Sequence, residues 1–140
     1  MTREVRGGII ESEWVYTGAA FALNHPISQH LGAVWLVVIW VALHAGLGVL
    51  GVINLTMAGL GPFTMLFALL LVLLVLNDLF AILTLIGRHP LAWYPVWLCL
   101  ICTFPLSLPL IMYWSDGARP NLIYRHRFGR LVFPDAGEQT

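Results

Sequence analysis

The sequence predicts an all-α integral membrane protein, with three transmembrane helices behind a short N-terminal interfacial helix. Three observations lead there. From Trp14 to Asn77 there is no Asp, Glu, Lys or Arg. Of the 140 residues, 59% are hydrophobic and only 10% are charged, against about 25% charged in an average soluble domain. Apolar stretches at 32–54 and 62–87 each exceed the roughly 20 residues that a helix needs to cross a hydrocarbon core.

Residues 1–30 form an amphiphilic lead-in. Its mixed charge, with Glu4, Glu11 and Glu13, differs from the basic start of a cleaved signal peptide, so the first span is expected to act as its own insertion signal. The stretch Trp14–Leu23 is apolar but too short to span. Its Trp and Tyr suit the headgroup level, which predicts an interfacial helix. Asn24-His25-Pro26 breaks that helix, and Ser28 is expected to cap the next one.

The bundle, 31–114, begins with span one at 32–54. An uncharged turn, Leu55 to Pro62, leads into span two at 62–87, long enough to tilt. Arg88-His89-Pro90 precedes a third apolar segment at 91–114. Trp93, Tyr94 and Trp97 at one end and Tyr113 and Trp114 at the other read as two aromatic belts. Two arrangements compete for this segment. A Pro-kinked third span is the expected form, because prolines are tolerated in such helices. In the rival, Pro105 and Pro109 turn the segment back as a re-entrant hairpin, which brings all seven Arg to one face.

The tail, 115–140, carries Arg119, Arg125, Arg127 and Arg130 among Pro120, Pro134 and Gly137. It is too short for a domain. It is expected on the surface, gripping anionic lipid headgroups at ~1 kcal/mol per Arg or docking on a partner's acidic face. Counting Arg on each side favours a cytoplasmic tail by a narrow margin, in a bacterial inner membrane. The formal charge of zero supplies no field for nucleic acid. Two cysteines make neither a disulfide framework nor a four-ligand zinc site. The sequence has no recognisable metal-ligand cluster, phosphate loop, catalytic triad or internal repeat.

Chemistry can reside only in the few polar residues inside the apolar spans. Asp78 is the sharpest of them. A charged carboxylate at the centre of a transmembrane helix costs roughly 2.5–3.5 kcal/mol on insertion scales, so it should face protein or water. With Asn77 it is a candidate proton or quinone site, or a hydrogen-bonding contact to another subunit. His44 lies near the middle of span one, on one stripe with Gly48 and Gly51, while Ala42 and Gly46 form a small-xxx-small pair. Small residues let a second backbone approach. With both spans level, Asp78 falls beside residues 38–40, about 9 Å in depth from His44. A direct bond between them is not expected.

The fragment His44-Ala45-Gly46-Leu47-Gly48 with Val52 resembles the haem-bearing helix of succinate dehydrogenase membrane anchors, where a His is followed one turn later by Gly. It lacks the Asp-Tyr that usually follows there. His25, His30, His89 and His126 all lie outside the spans, so a bis-His haem would need a partner. Cys99-Leu100-Ile101-Cys102 with Thr103 resembles the last helix of quinone-linked disulfide-forming enzymes of the vitamin K epoxide reductase type. That likeness implies a redox thiol pair. The second cysteine pair and fourth span of those enzymes are absent.

The expected function is that of a small non-catalytic membrane subunit that assembles with, or anchors, a larger membrane complex. Its partners would be lipids and other membrane subunits, and it requires no cofactor. Two alternatives use the polar residues differently. One is a proton-coupled transporter or channel component working through Asp78. The other is an electron-transfer anchor binding quinone or haem with a partner, lined by Trp40, His44 and Asp78.

Overall fold

Two long apolar helices dominate the computed structural model, which describes residues 11–59 and 61–132. They are α2, Val34–Met57, and α3, Pro62–Ile86. Both are long and apolar enough to cross a membrane, and so are compatible with insertion. They pack antiparallel through the glycine stripe. A Cβ on Gly48 would fall 2.6 Å from Val75, which must then shift, and one on Gly51 would fall 3.0 Å from Leu71, a tight contact. Ala42 and Gly46 face the other way, and a Cβ on Gly46 would meet nothing within 4 Å.

The helices end for local reasons. α2 runs to Met57, further than expected, and Gly59 turns the chain at φ +102°. Such a backbone suits glycine because no Cβ clashes there. The Thr64 hydroxyl oxygen then accepts from the Gly61 N–H at 2.7 Å, satisfying a donor that the first turn of α3 leaves free. Six of the eight prolines (26, 62, 90, 95, 109 and 120) sit in the first turn of a helix or 3₁₀ turn. There the missing N–H has no partner to lose.

The segment 91–114 is not one long helix. A 3₁₀ turn, Pro90–Ala92, leads into α4, Trp93–Cys102, and after a break α5 follows, Leu108–Asp116. The two helices fold back on each other. Trp93 at the start of α4 stacks on Trp114 near the end of α5, ring centroids 5.2 Å apart. A straight helix would separate them by roughly 30 Å. The hairpin, not the expected long third helix, is what forms, and the two expected aromatic belts collapse into one stack. Pro105 lies in the break and Pro109 opens α5, which is how the chain escapes one helix ladder and enters another.

The remainder departs from an all-α fold. β1, Glu11–Tyr16, pairs antiparallel with β2, Arg127–Val132, with Trp14 opposite Gly129. The predicted interfacial helix shrinks to α1, Ala19–Asn24. Ser28 does not cap α2. Its hydroxyl faces the carbonyls of Ala22 and His25, 2.7 Å from the latter, and so closes the lead-in. The tail is an integral part of the fold. α6, Ala118–Arg125, buries Leu122, Ile123 and Tyr124. The Tyr124 hydroxyl donates to the Leu85 carbonyl at 2.8 Å. His126, left-handed at φ 53°, turns α6 into β2.

Candidate functional site

Three buried stripes meet between α2, α3 and α4. On α3, Asp78, Ala81 and Leu85 recur at helical spacing and are 1%, 0% and 0% exposed. On the facing segment Ala92, Val96 and Cys99 recur at the mirror spacing and are fully buried. Val34, Val37, Val41 and Ala45 on α2 close the third side. Asp78 is therefore enclosed by protein, at the end of an otherwise aliphatic seam.

Its partner is His44. The imidazole Nδ1 lies 2.6 Å from Asp78 Oδ2, a contact that the level-span estimate did not foresee. Gly48 opposite Val75 and Gly51 opposite Leu71 set the register, which brings residue 44 level with 78. The longer α2 and the short turn at 58–61 displace the pairing by several residues from the assumed one. Carboxylate and imidazole satisfy each other where lipid or aliphatic side chains supply nothing.

Cys99 completes the cluster. One ligand-type atom from each of His44, Asp78 and Cys99 lies within 4.8 Å of the other two. Of the two cysteines, Cys99 is buried and Cys102 is exposed. Asn77 donates to the Pro95 carbonyl at 3.1 Å and lies 3.5 Å from Asp78 Oδ1. On the other flank Trp40 Nε1 donates to Thr103 Oγ1 at 3.0 Å. These two bonds tie α4 to both long helices at the depth of the cluster.

The His44 side chain keeps 19% of its surface. Its open edge borders a cavity of about 350 Å³ lined by Trp40, Leu43, Leu47, Cys102, Thr103 and Phe104 among others. A smaller cleft of about 170 Å³ reaches His44 and Asp78 from the side of Leu71 and Val75. The cluster is thus enclosed but reachable.

The other predicted site residues gather at one end, where α2 begins and α3 ends. Arg88 Nη2 donates to the Gln29 carbonyl at 2.6 Å and Arg119 Nη1 to that of His30 at 3.3 Å. The Arg125 guanidinium lies 4.6 Å from the Trp93 ring centre. Burial, with Arg127 nearby, lowers the Arg125 pKa from its ordinary value. Burial likewise raises the Tyr124 phenol. Arg127 lines a surface groove with Tyr94 and Tyr124. Arg130 lies on β2, but its side chain, like Arg3, Arg6, Pro134 and Gly137, falls outside the described residues. His25 and His89 are caps: each Nδ1 accepts from the N–H two residues on, Ile27 and Leu91.

No protein-family model, curated protein or solved structure matches the chain.

Proposed function

We propose that the chain is an integral membrane protein, with α2 and α3 as spans and α4–α5 as a re-entrant hairpin. We further propose that it serves as a non-catalytic subunit of a larger membrane assembly. The observation that carries this is how little of the two long helices the chain covers. Within their most apolar windows only 22% and 17% of residues are buried. In water such surface would form an apolar patch far beyond the few hundred Å² tolerated by soluble monomers. Acyl chains or other helices must cover it.

Support for assembly comes from one side of α2. Asp78, expected to hold a proton or quinone site or to bond to another subunit, meets His44 within the chain instead. The open Ala42–Gly46 face has no such internal partner among the described residues, and small residues there suit close approach by another helix. Native mass spectrometry after mild extraction from the source membrane tests the proposal. The expected result is a stoichiometric complex larger than the monomer, weakened by Gly46→Ile. A monodisperse monomer in both forms contradicts it.

A quinone-binding anchor is the second reading, favoured by the aromatic and aliphatic cavity beside His44. Such sites are apolar with a few placed polar groups. Quinone quantified in the extracted protein, and lost in Trp40→Ala, would favour it; equal lipid quinone in both forms would not. On orientation, Arg88, Arg119, Arg125 and Arg127 share one end of the helices, and positive charge assigns that end to the cytoplasm.

A further inference from the structure

We infer that His44, Asp78 and Cys99 form a binding site for one divalent transition-metal ion of the zinc type. Three different helices each contribute one donor, and those three atoms lie within 4.8 Å of one another. Tetrahedral ligands at zinc-like bond lengths stand roughly 3.4–3.8 Å apart. Small side-chain rotations therefore suffice, and His44 and Asp78, now 2.6 Å apart, need only separate by roughly 1 Å.

Charge favours the ion. Asp78 is 1% exposed and Cys99 fully buried, in a setting where any net charge is costly. A divalent ion held by one carboxylate, one thiolate and a neutral imidazole sums to zero. Binding displaces the proton that bridges His44 Nδ1 and Asp78 Oδ2 and the Cys99 thiol proton. The ion takes the place of the proton shared between imidazole and carboxylate. A thiolate and an imidazole select zinc or its borderline-soft neighbours over magnesium or calcium. Three protein ligands leave a fourth position, and the cleft lined by His44 and Asp78 together with Leu71 and Val75 reaches the cluster. Asn77, bonded to the Pro95 carbonyl, holds the cysteine-bearing helix at this depth as outer support.

The inference needs no partner subunit and so stands apart from the assembly proposal. The full chain, purified in mild detergent and stripped with a chelator, is titrated with Co²⁺ and then Zn²⁺. Near-ultraviolet thiolate-to-cobalt absorption should saturate at about one ion per chain, and Zn²⁺ should displace it. Cys102→Ser should leave this unchanged. Cys99→Ser, nearly isosteric and so tolerable to the fold, should abolish the absorption and weaken Zn²⁺ at least about tenfold. The inference is overturned if the wild type shows no saturable uptake, or if Cys99→Ser, with helical content intact by circular dichroism, binds Zn²⁺ as tightly as wild type.

Discussion

His44 and Asp78 matter most as a pair, because each removes the other's unsatisfied polarity in an aliphatic seam. Removing one partner strands the other, at about 3–5 kcal/mol, whereas replacing both by apolar residues is nearly neutral. His44→Phe should therefore lower thermal stability in detergent sharply, and His44→Leu with Asp78→Leu should recover most of it. A loss in the double variant equal to the sum of the His44→Leu and Asp78→Leu losses would mean that the contact contributes no coupling. Tyr124 offers a second check, since its hydroxyl donates to the Leu85 carbonyl and burial raises its pKa. A raised folded-state pKa gives stability that is full below the unfolded value of about 10 and lost as pH climbs past it. Wild-type stability should fall above that pH. Tyr124→Phe should cost ~1 kcal/mol at neutral pH and flatten the alkaline fall; an unchanged alkaline slope would exclude Tyr124 as its source. At this scale the sequence exposed His44, Asn77 and Asp78 as exceptional, since polarity in an apolar run is visible without a fold. Cys99 stood out in the sequence only beside Cys102, whereas the structure also sets it next to His44 and Asp78. Cys102 shares its helix, but only α3 opposite decides which sulfur is buried. The matching stripes Asp78–Ala81–Leu85 and Ala92–Val96–Cys99 were the available signal.

Both long helices were legible, α3 to within one residue and α2 to within three, because uninterrupted hydropathy and proline at the start of α3 are local properties. Their register was not, since it depends on where α2 stops and on which glycines meet a partner. Gly48 and Gly46 separate those roles. Gly48→Ala would drive a methyl into Val75, and overpacking of this kind costs about 1–3 kcal/mol. Gly46→Ala meets open space and should leave the isolated chain as stable or slightly more so, since alanine favours the helix. Thermal melts of the two purified variants check this, and equal destabilisation would refute the register. The third apolar segment shows where propensity ends. Its length suited a span, but Pro105 and Pro109 with the Asn77–Pro95 and Trp40–Thr103 bonds fold it back. β1 was invisible as a strand because its partner lies more than a hundred residues later in the chain. Glu11–Tyr16, polar in its first half and apolar in its second, carries no alternation that marks a strand until β2 supplies the ladder.

For the molecule as a whole, folding the third segment back brings the lead-in, the Arg88 corner and the tail together at one end of two long helices. The described part of the arginine-rich tail, expected on the surface gripping lipid headgroups or a partner, packs into the fold through Leu122, Ile123 and Tyr124. Its basic residues partly serve the fold: Arg119 bonds the His30 carbonyl and Arg125 covers Trp93. Among the described residues, the far end offers only the short turn between α2 and α3. The proposed membrane topology follows, with both described chain ends on one side and residues 58–61 alone on the other. Cysteine labelling tests it most directly, using a membrane-impermeant maleimide on sealed, oriented vesicles. In a Cys102→Ser background, with Cys99 buried, the exposed sites Ala20→Cys and Ala118→Cys should label from the same face, and Ala58→Cys only from the opposite one. If Ala118→Cys instead labels together with Ala58→Cys, the segment crosses the membrane as a third span and the account fails.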